Sequence, residues 1–298
     1  LFFIERTEQL FAGRQPLGGA VETTIDDRAQ RAAFDGLQGK VGAVVAIEPS
    51  TGRILVSAQT PSFDPGVLSS HDPAEIRAYY AALKADPKKP LLNRPIVSLN
   101  PPGSTFKLVT AAAALASGKF TAESVLPGPA TYRLPQTSTD LRNWNRGPCA
   151  PGGKLTLSEA LAVSCNTAFA WLGNELGADA LRQQAELMGF GTGFEIPLRA
   201  ATSRFPEEPD PPQTALSAIG QFDVRATALQ MAMVGAGIAN GGTIMRPYLV
   251  QEIRAPDLAV LKTAEPEVFE QAMTAGNAAS LTDMMIRAVE RGTGSNVR

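Results

Sequence analysis

Residues 100–116 set the tightest limit on how this chain can fold. Asn100-Pro101-Pro102-Gly103 halts any regular element, because neither proline has a backbone N–H and Gly103 follows as a turn residue. Directly after this stop, Ser104 opens a stretch of high helix propensity that runs through Ala116. Ser104 is therefore expected at a helix N-terminus. So apolar a helix needs a core around it, and 44% apolar content in 298 residues is enough for one large domain or two modest ones.

Composition removes several functional classes. A formal net charge of −2, with no Lys/Arg-rich run, leaves no basic face for a phosphate backbone, so nucleic acid is not an expected partner. The longest mostly apolar stretches, Leu108 to Ala116 and Leu229 to Ala239, fall well short of the roughly 18 residues of a membrane span. The sequence starts at Leu1 with no signal pattern, and any signal or membrane anchor is expected upstream. Cys149 and Cys165 are too few for a disulfide scaffold and lack the His and Cys neighbours of a zinc site, so in a cytosolic protein they would read as two buried thiols; no metal and no cofactor are expected. The single His71 lies in the polar run Ser-Ser-His-Asp-Pro and reads as a loop residue. No Gly-x-Ser-x-Gly surrounds any serine, so a catalytic base is not expected to be histidine.

The chain reads as a linker from Leu1 leading to a short helix over 28–37, with Asp26 or Asp27 as N-cap. Val41–Ile47 and Ile54–Ala58 flank a Gly52-containing turn and predict a β-hairpin. Helices are expected over 72–85 with Asp72 as N-cap, from Thr156 or Ser158 to Val163, over 167–176, 178–188 and 227–238, and from about 277 to 290. Residues 126–153 read as irregular, and 205–214, with four prolines and three acidic residues, as a solvated loop. The hairpin is the one convincing pair of strands.

Two constellations could carry chemistry. Ser104-Thr105-Phe106-Lys107 puts a hydroxyl and an amine at i and i+3 on one helical face. A serine attacks weakly until a neighbour takes its proton, and a lysine does so once desolvation lowers its pKa. The helix N-terminus adds partial positive charge and backbone N–H groups near a developing oxyanion. A chain of this length holds about one Ser-x-x-Lys by chance, so the alternative is an N-cap serine beside a surface lysine. The second constellation is Ser164-Cys165-Asn166, between two helical patterns, where Ser164 could relay a proton and Asn166 hold a substrate amide. Its alternative is a helix cap with Asn166 starting the next helix. Ser98-Leu99-Asn100 has the same pattern but shares a loop with Ser104 and cannot form an opposite wall.

Taken together, these motifs resemble the class B penicillin-binding proteins, most of all the A type of actinobacteria. The likeness runs from Thr24-Ile25-Asp26 with Gln30, through Gly42-Ala43-Val44-Val45, Ser50-Thr51-Gly52-Arg53-Ile54-Leu55 and Pro61-Ser62-Phe63-Asp64-Pro65, to Pro102-Gly103-Ser104-Thr105-Phe106-Lys107. It continues with Ser164-Cys165-Asn166-Thr167-Ala168-Phe169, Ile219-Gly220-Gln221 and Ala239-Asn240-Gly241-Gly242. The resemblance implies an α/β fold of the serine β-lactamase/D,D-transpeptidase kind: an antiparallel sheet flanked by helices, plus a mostly helical subdomain. It implies residues 1–38 as linker and first helix, and 39–298 as the penicillin-binding transpeptidase domain. The implied activity is peptidoglycan cross-linking, with Ser104 as nucleophile, Lys107 as base, Ser164 as proton relay and Asn166 as substrate contact. Implied partners are stem peptides ending in D-Ala-D-Ala, β-lactams that imitate them and a SEDS-family glycan polymerase, all at the extracytoplasmic face of the plasma membrane.

The resemblance also implies a third motif, Lys-Thr-Gly or a close variant, on a strand past the last helix. It is expected beyond Arg298 with the C-terminal sheet strands, because Arg291-Gly292-Thr293-Gly294 reads as the helix closure that precedes them. Outside the cytoplasm disulfides persist, so a Cys149–Cys165 bond is expected to pin the Ser164 loop, and thiol titration of the unfolded protein should find no free thiol. Two further readings share the motifs: a serine β-lactamase, though no deacylating Glu can be assigned, and a catalytically inert β-lactam-binding or scaffold module.

Overall fold

The computed structural model describes residues 18–297. The expected linker before Gly18 lies outside them. Strand β1 (Ala20–Thr23) comes first, and Asp26 then caps helix α1 (Asp27–Gly36) by accepting from Ala29 N at 2.8 Å. Strands β2 (Gly42–Ile47) and β3 (Ile54–Thr60) form the expected hairpin, paired from Gly42 opposite Thr60 to Ala46 opposite Val56, with a register shift before Ile47 meets Ile54. Along β3 burial alternates, so Ile54, Val56 and Ala58 face the core. The free edge of β3 is met by Gln30, whose side-chain amide exchanges two hydrogen bonds with Ser57, at 3.0 and 2.9 Å. A side chain thus stands in for a neighbouring strand.

Two short helices, α2 (Pro65–Leu68) and α3 (Pro73–Ala85), form an excursion, and α3 starts at the predicted Asp72 cap. His71 is exposed in the bend before it. Helix α4 (Arg94–Val97) precedes the Pro-Pro-Gly stop and α5 (Lys107–Ala116) follows it. Every residue of α5 from Val109 to Leu115 is buried. Its alanines let neighbours approach from several sides, as befits a helix that is apolar all round. Around it pack residues of α6 (Leu157–Ala162), α7 (Asn166–Leu176), α8 (Ala178–Leu187) and α11 (Ala275–Arg291), among them Leu157, Phe169, Leu181 and Met284. Helices α9 (Pro211–Ser217) and α10 (Ala228–Ala239) complete the helical part. The architecture is mixed, with antiparallel sheets and flanking helices.

Five expectations need correction. Within the supposed linker, β1 pairs antiparallel with β9 (Val250–Arg254), which also takes β10 (Val260–Thr263). A second pair joins β8 (Thr243–Met245) to β11 (Val268–Gln271), so the hairpin is not the one pair of strands. Residues 126–153, read as irregular, contain β5 (Thr131–Arg133) paired with β6 (Asp140–Arg142), and Val125–Pro127 as β4 pairs with β7 (Lys154–Thr156). Strands of three to five residues are too short to display alternation, and Ala20 pairs with Arg254 across most of the chain. The solvated loop at 205–214 ends early, because Asp210 and Gln213 form a capping box and Pro211-Pro212 sit in the first turn of α9, where no donor is needed. Finally, Ser104 lies in a 3₁₀ turn, Gly103–Phe106, and the α-helix proper starts at Lys107.

Candidate active site

The 3₁₀ turn matters for the first constellation. Side chains at i and i+3 eclipse in that geometry rather than merely sharing a face. Lys107 Nζ accordingly comes within 3.2 Å of Ser104 Oγ. The turn is anchored by Phe106, fully buried with its ring edge-on to Phe190 at 5.5 Å and stacked on Phe205 at 5.9 Å. Ser104 itself stays exposed.

The second constellation forms because α6 ends abruptly. Ser164 N donates to Leu161 O at 3.0 Å and Cys165 N to Ala160 O at 2.8 Å, the paired bonds of a Schellman closure. That closure needs a left-handed residue after the cap, and Ser164 occupies it with φ 56° where glycine is usual. Cys165 at once caps α7, its Sγ accepting from Ala168 N at 3.4 Å. The corner turns Ser164 and Asn166 toward α5. Cap and site geometry therefore coexist at these residues. Thr293 N donates to Ala162 O at 3.0 Å, so the Arg291–Gly294 segment closes α11 against the end of α6.

Lys107 Nζ meets four oxygens: Ser164 O at 2.8 Å, Asn166 Oδ1 at 2.8 Å, Ser164 Oγ at 3.0 Å and Ser104 Oγ. The Asn166 amide is oriented by its other end, since Nδ2 donates to Arg142 O at 3.2 Å. Two of the four oxygens, a carbonyl and an amide oxygen, can only accept, so they take the two protons of a neutral amine. The lone pair is then left for a hydroxyl of Ser104 or Ser164. Burial, which strips water from the charged amine, lowers the Lys107 pKa from 10.5 to about 7. The structure thus brings together all four residues singled out in the sequence, in a form that can accept a proton from Ser104.

Supporting residues escaped the sequence reading. Asn143 is buried in the stretch read as irregular, donates to Pro129 O and Gly147 O at 2.9 Å each, and accepts from Thr167 N at 3.1 Å. It holds the loop whose Arg142 carbonyl orients Asn166, and no local pattern marks it. Cys149 and Cys165 are joined by a disulfide across 16 positions, which ties the same loop to the start of α7. Replacing both by serine is expected to cost about 3 kcal/mol, read as a lower urea midpoint. The Gly220 carbonyl accepts from Gly103 N at 3.0 Å, and a β-carbon on Gly220 would lie 2.2 Å from Gly103 O and 2.8 Å from Phe106 Cβ, at φ +69°. Backbone cannot rotate aside, so Gly220→Ala is expected to cost about 2–4 kcal/mol and to displace the Ser104 turn. An unchanged urea midpoint would show that the turn yields.

A family model described as the penicillin-binding protein transpeptidase domain matches residues 42–298. Peptidoglycan D,D-transpeptidase PbpA of Mycolicibacterium smegmatis is 44% identical over 292 residues, covering 96% of this chain and 59% of the relative. The chain thus spans under two thirds of that relative's length. Penicillin-binding protein A from M. tuberculosis is similar in two solved forms. Its penicillin G acyl-enzyme complex superposes with a TM-score of 0.91 at 42% identity, covering 96% of this chain and 67% of that one. Its imipenem acyl-enzyme complex gives 0.93 at 41% identity, with 99% and 69% covered.

Proposed function

Since the chain belongs to the family of penicillin-binding protein transpeptidase domains, we propose that it carries the acyl-transfer site of a peptidoglycan D,D-transpeptidase, and that residues 39–298 belong to its transpeptidase domain. The observation that carries this reading is the buried Lys107 amine, bonded to Ser104 Oγ at 3.2 Å and to Ser164 Oγ at 3.0 Å, with its pKa lowered to about 7. Ser104 Oγ attacks the penultimate D-Ala carbonyl while its proton passes to Lys107 Nζ. The tetrahedral intermediate collapses, the C–N bond breaks, and the proton goes to the departing D-Ala nitrogen through Ser164. Asn166 contacts the donor amide. An amine of a neighbouring stem then attacks the acyl-Ser104 ester, returns the proton to the same relay and frees the serine.

A β-lactam follows the first half of this path, its ring C–N bond breaking and its nitrogen staying attached. The names of the similar solved structures, acyl-enzymes of penicillin G and imipenem, support that reading. The site of action is the extracytoplasmic face of the plasma membrane, where stem peptides lie and where the Cys149–Cys165 disulfide persists. A SEDS-family polymerase would supply the glycan strands. The test is an intact-mass spectrum of the full-length protein after incubation with penicillin G. One added antibiotic mass, mapping to the Ser104 peptide, is expected; an unchanged mass rejects the proposal. Turnover separates the β-lactamase reading, because a transpeptidase retains the adduct whereas a β-lactamase releases it rapidly.

A further inference from the structure

The turn after Gly220 carries one residue in an unfavourable backbone state. Phe222 has φ 57°, a left-handed conformation that is an outlier for so bulky a side chain, and leaves 42% of its surface exposed. A lone exposed phenylalanine needs no explanation. One held against its own backbone preference does, since such conformations persist only where the surroundings impose them and they cluster at functional sites.

The surroundings do impose it. Arg225 Nη1 donates to Phe222 O and Val224 O at 2.9 Å each, and its guanidinium lies 3.7 Å from Asp223. Asp223 also accepts from Arg204 at 2.9 and 3.2 Å. Gln221 N donates to Leu216 O at 3.0 Å, and Val224 is fully buried. Every neighbour of Phe222 in the turn is thus committed to the protein, while its ring faces solvent.

The turn that carries Phe222 adjoins the segment that carries the nucleophile. Gly220 is bonded to Gly103, which precedes Ser104, and the Gln221 amide lies 3.6 Å from where a β-carbon on Gly103 would sit. Two residues further on, the Phe222 Cα is at most about 7 Å from that of Gly220. We propose that Phe222 is a specificity-determining residue, an aromatic wall at the rim of the Ser104 site that favours donors and β-lactams bearing an apolar or aromatic acyl side chain. This rests on the transpeptidase reading.

The test compares second-order acylation constants for penicillin G, with its aromatic side chain, and imipenem, which has none, in the protein and in Phe222→Gly. Glycine accepts the left-handed backbone and removes the ring. The ratio of the penicillin G constant to the imipenem constant is expected to fall about three- to tenfold, the worth of one aromatic contact. A ratio that stays constant, whether both constants fall together or neither moves, overturns the proposal. Should Phe222→Gly fail to fold, Phe222→Asn, which also tolerates the left-handed region, answers the same question. Failure of the unaltered protein to be acylated by either compound would instead reject the transpeptidase reading, so the two failures are distinct.

Discussion

Ser104→Ala is expected to leave a folded protein that takes up no penicillin G at all. Ser104 is exposed on its 3₁₀ turn, and the turn is held by the buried Phe106 ring and the Gly103–Gly220 hydrogen bond rather than by the serine side chain. Losing one 3.2 Å bond to Lys107 costs at most about 1 kcal/mol, so the urea midpoint should barely move. Acylation, by contrast, has no other hydroxyl on the eclipsed position of that turn. The adduct peak in an intact-mass spectrum should vanish. An adduct of undiminished yield in Ser104→Ala would remove Ser104 from the mechanism.

Lys107→Met is expected to slow acylation by about 10²–10⁴-fold, the usual worth of a positioned general base. Methionine has similar length and fills the buried channel, so the loss reports on the amine rather than on a cavity. Lys107→Arg should be similarly slow, because a guanidinium stays protonated at every accessible pH. The unaltered protein should show the corresponding pH dependence. The reactive form is the neutral amine, and with a pKa of about 7 it predominates above pH 7. Below that the rate constant should drop tenfold per unit. A profile flat from pH 5 to 9, taken under acylation-limited conditions, would argue against lysine as base.

The same shift couples folding to pH. Between about 7 and 10.5 the unfolded chain carries a proton on Lys107 that the folded chain has released. Stability from this group therefore rises with pH across that window and is lowest below it. The site holds a destabilised lysine in return for a base active near neutrality, a trade that the buried Lys107→Met variant would reverse.

The helices were legible because their ends are written locally. Asp26, Asp72, Thr156 and Thr227 each accept from a backbone N–H within three residues, and the predicted starts fall on or next to them. The hairpin was legible for a similar reason, since its strands are neighbours around Gly52. Strand β1 was not, because its partner lies at the far end of the chain and its side chains are all exposed. Residues 211–214 misled because prolines were weighed as breakers, whereas at the first positions of a capped helix they are favourable.

By itself the sequence determined the stop at 100–103, the helix it opens, the i, i+3 pairing of Ser104 with Lys107, and the family the motifs resemble. Only the tertiary structure decided that Lys107 reaches Ser164 and Asn166, 57 and 59 positions away, and that its amine is buried enough to lose a proton near neutrality. Caps and turns are settled by contacts within a few residues, so composition and spacing reveal them. A pKa set by desolvation, a left-handed serine at a helix corner and a constrained Phe222 depend on what packs around them, which spacing along the chain does not encode.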